Sequence, residues 1–387
     1  MSSIITTTVC RCSRCGGILQ TEDKNVEHYI DPKVLKTKSL NDIVFCDDCY
    51  KASHYSASPN SIHASKDLIK ILKDARATDA LIVYFIDTFS FEYSIPVEVA
   101  DIIEHQNILI VARMHNPKFA KGNRIDKEEY IAHQFRTYRI RVTRDDVIVT
   151  DLNAESMKVL KEKINEKRAR HDVYLIGSTI SPLETFTRKF LADYVNMSTR
   201  TVVTRKYRGT EMEVVRIPLD SSSSMYSTEA FEEANSFMSV GDDTFRKGLF
   251  PQKDFRVRRK HLSLGNALFL GGLCRIDLIG GKSTDIDVYC AEKVDAEIQG
   301  GHHIDKHWME KIHKKTIRPT IKEIEGLKDF DVFDVNVTQE GMRDIGISGL
   351  GWISFKGNNQ TFRIYVYKGI GVYGSRAKVN KNANTKK

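Results

Sequence analysis

From residue 60 to about residue 195 the chain alternates short, unbroken apolar runs with longer amphipathic stretches. Ile62 to Arg76 carries Ile62, Leu68, Ile69, Leu72 and Ala75 at near-helical spacing, and Leu81 to Asp87 is a run of the kind that forms a buried strand. The same alternation predicts a helix over Pro96–Glu104, a strand over Ile108–Ala112, a helix over Lys127–Thr137 and a strand over Asp146–Thr150. It continues with a helix over Ala154–Arg168, a strand over Val173–Ile176 and a helix over Pro182–Tyr194. Strands alternating with helices form a parallel sheet covered on both faces, and ligands of such sheets bind at the carboxyl ends of the strands. Those ends are Asp87-Thr88, Arg113 to Asn116, Asp151 to Asn153, and Gly177 to Ser181. After the serine run Ser221–Ser224 the pattern becomes irregular. Past Lys253 it turns into short strands punctuated by glycine (Gly271-Gly272, Gly280-Gly281, Gly300-Gly301, Gly349, Gly351, Gly369 and Gly371), with one helix over Asp305–Lys315. The expected class is α/β, with an N-terminal cysteine module over 1–60, a sheet-and-helix domain over 61–250, a β-rich α+β domain over 251–379 and a basic tail over 380–387.

Composition narrows the class. Hydrophobic residues make up 41% of the 387, enough for sizeable cores. The longest apolar runs, Ala80–Ile86 and Ile108–Ala112, fall far short of the roughly twenty residues a membrane-spanning helix needs. No membrane partner is expected, and the location expected is cytoplasmic. A formal charge of +8 favours a polyanionic partner, although solubility alone accounts for a surplus of that size. The positive residues cluster at Arg136, Arg139, Arg141 and Arg144; at Arg200, Arg205, Lys206 and Arg208; and at Arg256, Arg258, Arg259 and Lys260. The last two groups are the candidate nucleic-acid contacts.

The strongest chemical motif is Cys12-x2-Cys15 with Cys46-x2-Cys49. Two such hooks close a tetrahedral thiolate cage around one zinc ion, and Gly16-Gly17 lets backbone approach metal-bound sulfur. A four-thiolate site without water is structural. A redox pair or a disulfide set is the alternative, but seven cysteines leave one over and the N-terminus carries no secretion signal. Cys10 is a less well spaced competitor, and Cys274 and Cys290 lie in apolar strands without a nucleophile signature.

The order of these pieces resembles the circularly permuted GTPases of the YqeH type, bacterial and organellar ribosome-assembly factors. The resemblance rests on Cys12-x2-Cys15-Gly16, on Phe45-Cys46-Asp47-Asp48-Cys49-Tyr50 with His54-Tyr55, on Leu268 to Asp277, and on Asp344-Ile345-Gly346-Ile347-Ser348-Gly349-Leu350-Gly351-Trp352. It implies a permuted GTPase-like sheet in which the base-reading motifs precede the phosphate loop. At the nucleotide positions this chain departs from the family. A phosphate loop needs G-x-x-x-x-G-K-[ST], because glycine N–H groups cradle phosphate, lysine balances charge and the hydroxyl holds magnesium. Gly177 to Thr185 keeps the first glycine, while Pro182, Leu183 and Glu184 replace the second glycine, the lysine and the hydroxyl. Ser181, Pro182 and Glu184 read instead as an ordinary helix start with a capping box, putting a carboxylate at the anion site. The guanine-reading segment falls at Arg113-Met114-His115-Asn116 without its carboxylate, the magnesium-positioning segment at Ser227-Thr228-Glu229-Ala230, and the base-supporting loop at Thr150-Asp151-Leu152. The resemblance leaves Gly177, Thr185, Gly209, Thr210 and Asn116 as vestigial nucleotide positions and no catalytic residue.

The reading is a ribosome-biogenesis factor that binds ribosomal RNA or a small-subunit precursor with zinc, GTP hydrolysis having been lost together with its GTP and magnesium contacts. An active GTP-hydrolysing assembly factor and a protein-interaction adaptor are the alternatives. Two further constellations read as structure: His302, His303, His307 and His313 with Asp305 and Glu310 as a solvated helix face, and Gly281-Lys282-Ser283 as a hairpin turn.

Overall fold

The computed structural model describes residues 19–24, 29–36, 44, 46–47, 64–92, 95–113, 124–197, 201–233, 235–251, 257–338 and 340–376. The chain divides into two compact units, residues 1–59 and 60–387. In the first, α1 (Pro32–Lys36) is described, Asp47 N–H donates to Tyr29 O at 2.6 Å and Ile30 N–H to Gln20 O at 2.9 Å.

The second unit begins with α2 (Lys66–Ala77), β1 (Leu81–Asp87), α3 (Val97–Ile103), β2 (Ile108–Arg113), α4 (Arg124–Thr137), β3 (Val147–Thr150), α5 (Ala154–Arg168), β4 (Val173–Gly177) and α6 (Leu183–Met197). It continues with β5 (Val203–Lys206), β6 (Glu213–Pro218) and β7 (Ser224–Thr228). These strands form one sheet in the order β3-β2-β1-β4-β7-β6-β5. Neighbours from β3 to β7 pair parallel; β6 and β5 extend the sheet antiparallel. Buried on both faces, β1 and β4 are continuous apolar runs, as central parallel strands are. The strand period of two divides β1 between two cores. Ile82, Tyr84 and Ile86 pack with α2, α3 and α4, and Leu81, Val83 and Phe85 pack with Leu160 and Ile164 of α5 and Phe186 of α6. Helix starts are capped where the sequence supplies an acceptor: Ser65 Oγ takes Leu68 N–H at 3.1 Å and Asn153 Oδ1 takes Ser156 N–H at 2.9 Å.

After α7 (Asp243–Leu249) the chain builds β8 (Arg258–Leu262), β9 (Ala267–Leu270), β10 (Cys274–Gly280), β11 (Thr284–Cys290), β12 (Ala296–Gln299) and α8 (Ile304–His313). It ends with β13 (Phe330–Val337), β14 (Gly341–Ile347), β15 (Gly351–Gly357), β16 (Gln360–Tyr367) and β17 (Val372–Arg376). Two five-stranded sheets, β12-β9-β10-β16-β13 and β17-β14-β15-β11-β8, share one core, with Phe355 of one against Phe362 of the other at 4.8 Å between ring centroids. The expected hairpin at Gly281-Lys282-Ser283 is a turn of a different kind. It carries the chain from β10 in one sheet to β11 in the other, with Gly281 at φ +86° against Asn359 and Gln360. Arg275 is buried between Trp308 of α8 and Tyr365, and its guanidinium holds Asp277 at 2.9 and 3.0 Å and Asp305 at 2.6 Å. Among the described residues no helix is long and apolar enough to cross a membrane.

Candidate functional site

The strand ends that the sequence singles out do meet. Register places Asp87 beside Arg113 and Phe85 beside Gly177, so the loops after β1, β2 and β4 border one crevice. In the loop after β4, three backbone donors are used internally and a fourth position has none. Thr179 N–H donates to Phe231 O at 2.9 Å, Ser181 N–H to Ser178 O at 2.9 Å and Leu183 N–H to Ser181 Oγ at 3.4 Å; Pro182 has no N–H. In return Phe231 N–H donates to Gly177 O at 3.0 Å. The loop is closed down to a tight turn. A Cβ on Gly177 would collide with Ser181 Oγ and lie 2.9 Å from Phe85 O.

Charged side chains complete the closure. Arg113 opens the segment that the sequence resemblance aligns with a guanine-reading motif. Its Nε donates to Asp87 Oδ2 at 2.8 Å and its Nη2 to Ile180 O at 2.8 Å, and its guanidinium lies 5.9 Å from the Phe250 ring. The carboxylate expected at the anion site, Glu184, is exposed instead. Glu233 is the carboxylate that reaches the loop: Ser178 Oγ donates to its Oε1 at 2.9 Å and Ser90 Oγ to its Oε2 at 2.9 Å. Burial, aided by the charge of Asp87 and opposed by hydroxyl donors including Ser236, pushes the Glu233 carboxyl up to about 8. Asp87 Oδ1 also takes Phe89 N–H at 2.9 Å, the turn-capping role its position suggests.

Of the other positions singled out from the sequence, two are held by protein contacts. Gly209 and Thr210 form the turn between β5 and β6, Gly209 at φ +73°, and Thr210 donates both N–H and Oγ–H to Tyr207 O at 3.0 Å. Asp67 on α2 fastens that turn by accepting Glu211 N–H at 2.8 Å and Met212 N–H at 3.1 Å. Thr185 is half-buried in the first turns of α6, and Asn116 lies outside the described residues. In the loop after β3, Asp151 accepts from Asn153 N–H and Nδ2 and from Ser156 Oγ. The Asn153 backbone donor is the main cause holding its carboxyl below the usual range.

The glycine-rich segment Ser348–Trp352 touches this crevice from the sandwich. Phe237 N–H donates to Ser348 O at 3.0 Å, Gly371 N–H to Asn235 O at 2.8 Å and Ser348 N–H to Gly371 O at 3.0 Å. Gly349 sits at φ +73°, and a Cβ there would lie 2.8 Å from Phe237 N and 2.9 Å from Met238 N. Gly351 clears Tyr289 O, while Trp352 stacks on Tyr289 at 4.9 Å.

A mainly parallel sheet with flanking helices, a crevice at the carboxyl ends of its strands and a β-rich C-terminal region make up the plan. The chain aligns with the uncharacterised protein YqeH of Bacillus subtilis (strain 168) at 23% identity over 368 residues, which is 95% of this chain and 98% of that protein. The likeness to YqeH runs over nearly the whole of both chains. A protein of Oryza sativa subsp. japonica is 23% identical over 89% of this chain and 69% of its own length. The Arabidopsis thaliana protein named NO-associated protein 1, chloroplastic/mitochondrial, is 20% identical over 91% of this chain and 71% of its own length. No protein-family model matches the chain.

The basic clusters lie on different sheets. Arg205 and Lys206 lie on β5, an edge strand of the α/β sheet whose four residues are all exposed, and Arg208 follows in the exposed turn; Lys206 pairs with Glu211. Arg258, Arg259 and Lys260 lie on β8, an edge strand of the sandwich. Arg258 is turned inward, donating to Val294 O, Ala291 O and Cys290 Sγ, and Arg259 pairs with Asp287 across β11 at 3.0 Å. Arg200 and Arg256 lie outside the described residues, as do Cys12, Cys15 and Cys49. Cys46 is described and buried, which suits a metal thiolate and a packed thiol equally. Cys274 and Cys290 are buried thiols raised by desolvation, so neither is a ready nucleophile. The histidines around α8 gather no group of metal-ligating side chains among the described residues. Sequence reasoning missed Glu233, because its serine partners stand 55 and 143 residues away.

Proposed function

We propose that this protein is a non-hydrolysing YqeH-type scaffold that binds ribosomal RNA or a small-subunit precursor. The observation that supports it is the internal satisfaction of the loop after β4. Phosphoryl transfer rests on backbone donors, lysine and magnesium arranged around the phosphates. Here Thr179, Ser181 and Leu183 give their N–H groups to protein acceptors, proline and leucine hold the glycine and lysine positions, and a carboxyl fills the adjoining space. A phosphate entering this crevice would have to displace Phe231 O to reach the Thr179 N–H, and would meet the Glu233 carboxyl on Ser178. Both switch-like segments are fastened as well, one by Asp67 and the other by the Ser348–Gly349 turn.

RNA binding is the complementary half of the reading. A strand exposed on both faces with Arg205, Lys206 and Arg208 offers flexible cations to a phosphate backbone without base reading. Cys12, Cys15, Cys46 and Cys49 would hold zinc as a structural ion that supplies folding energy to the small N-terminal unit. The test is titration of the purified, zinc-loaded chain with a fluorescent guanine nucleotide in magnesium buffer, alongside ribosomal RNA at several salt concentrations. The reading expects no saturable nucleotide binding and RNA affinity that falls steeply with salt. Saturable, magnesium-dependent nucleotide binding would return the chain to the active GTPase class, and salt-independent indifference to RNA would favour a protein adaptor.

A further inference from the structure

Residues 229–240 follow β7 and run into the sandwich, and their polar contacts converge on one side chain. Phe231 pairs with the loop after β4, and Asn235 and Phe237 pair with the sandwich at Gly371 and Ser348. Between these anchors Glu233 is 1% exposed. The loop after β1 brings Ser90 and the loop after β4 brings Ser178 to its carboxyl. Ser90 Oγ in turn lies 3.3 Å from Ser236 Oγ and 3.5 Å from Ser348 Oγ, so the network runs from the α/β sheet through the segment into the sandwich. A buried carboxyl at such a junction is costly unless hydrogen-bonded, and an apolar side chain would join the same elements without that cost. An ionisable group there makes the joint conditional.

We propose that Glu233 is a latch: caged by the serines it fixes residues 229–240 to both halves of the unit, and loss of its proton or of a cage hydroxyl releases the segment. The switch that GTP operates elsewhere would here answer to protonation or to a partner that draws the carboxyl out. The groups facing it are consistent with this. Asp87 and Tyr84 approach from β1, and Arg113 is engaged with Asp87 and Ile180 O. On its own segment Ser236 reaches the carboxyl, and from the sandwich Ser348 reaches Ser90 rather than the carboxyl itself. Burial and the Asp87 charge place the proton's departure in mildly alkaline solution.

The test is amide hydrogen exchange on the full chain, comparing wild type with Glu233→Gln and Ser178→Ala at about pH 6.5 and about pH 9, each pair at one pH so that intrinsic exchange cancels. Expected is a loss of protection over 229–240, relative to Glu233→Gln, of about tenfold between the two pH values, with β10 and β16 unchanged. Ser178→Ala should loosen the segment at both. A wild-type segment that tracks Glu233→Gln at every pH would overturn the latch. If neither variant folds, infrared spectroscopy of the wild type decides. A protonated buried carboxyl band that disappears near pH 8 supports the proposal, and its absence at neutral pH refutes it.

Discussion

Replacing Arg113 with methionine tests whether the crevice is held by charge. Asp87 has no exposed side-chain surface and Arg113 only 27%, and the two meet at 2.8 Å. Removing one partner of a buried pair costs about 3–5 kcal/mol, because a desolvated charge is left behind. Partial exposure of the arginine and the Phe89 N–H that still reaches Asp87 put the expectation at the low end, about 3 kcal/mol. Methionine keeps most of the side-chain volume, so lost packing contributes little. Urea denaturation followed by far-UV circular dichroism reads the change, since both tryptophans sit in the sandwich and report poorly on the α/β sheet. Adding Asp87→Asn closes a double-mutant cycle, in which the double variant should be less destabilised than the two singles combined, with a coupling of about 2 kcal/mol. A single-variant loss under about 1 kcal/mol, or additive singles, would mean that the pair is incidental and that hydrogen bonds and packing alone close the crevice.

Stability should also follow Glu233. Its carboxyl is raised from 4.5 to about 8, so folding is favoured with the proton bound; stability is lost progressively as pH climbs from the lower value to the upper and levels beyond it. The full shift corresponds to at most roughly 5 kcal/mol, and Glu233→Gln should flatten that part of the pH–stability curve. Gly349→Ala must adopt a positive φ and crowd Phe237 N; a loss of about 2–3 kcal/mol in thermal unfolding is expected. Asp67→Ala removes the acceptor for two backbone donors and should speed exchange at Glu211 and Met212 at a cost of about 1 kcal/mol. Metal analysis of the purified chain should find about one zinc, lost on substitution of Cys12 or Cys49 by serine.

The α/β sheet was legible because its strands are continuous apolar runs whose helices keep an apolar face; helix Ala154–Arg168 was expected with the bounds the structure has. Strands β5 and β6 were not foreseen; β5, at the edge, is exposed throughout and its residues answer to no core. The division of the C-terminal glycine-rich region into two sheets was also hidden. β10 and β11 look like a hairpin in sequence and part company only because Gly281 turns the chain across the sandwich. At the site, the departures from a phosphate-loop motif could be read residue by residue, but the contacts made there instead could not. Arg113 and Glu233 acquire meaning through partners brought near by topology, and local pattern assigned the anion site to Glu184, which the helix start leaves in solvent.

The sandwich has one arrangement with consequences for synthesis. β8 and β17 are the opposite outer strands of a single sheet, so that sheet is incomplete until the ribosome has delivered residue 376. Every strand of the α/β sheet lies before residue 229, and that half can assemble while the rest is still being made. The turn at Ser348–Gly349, which grips Phe237, is held between strands of the late sheet and arrives near the end. A nascent chain therefore passes through an interval in which Asn235 and Phe237 lack the sandwich partners that hold them, and a chain released before residue 371 would never gain the Asn235 contact.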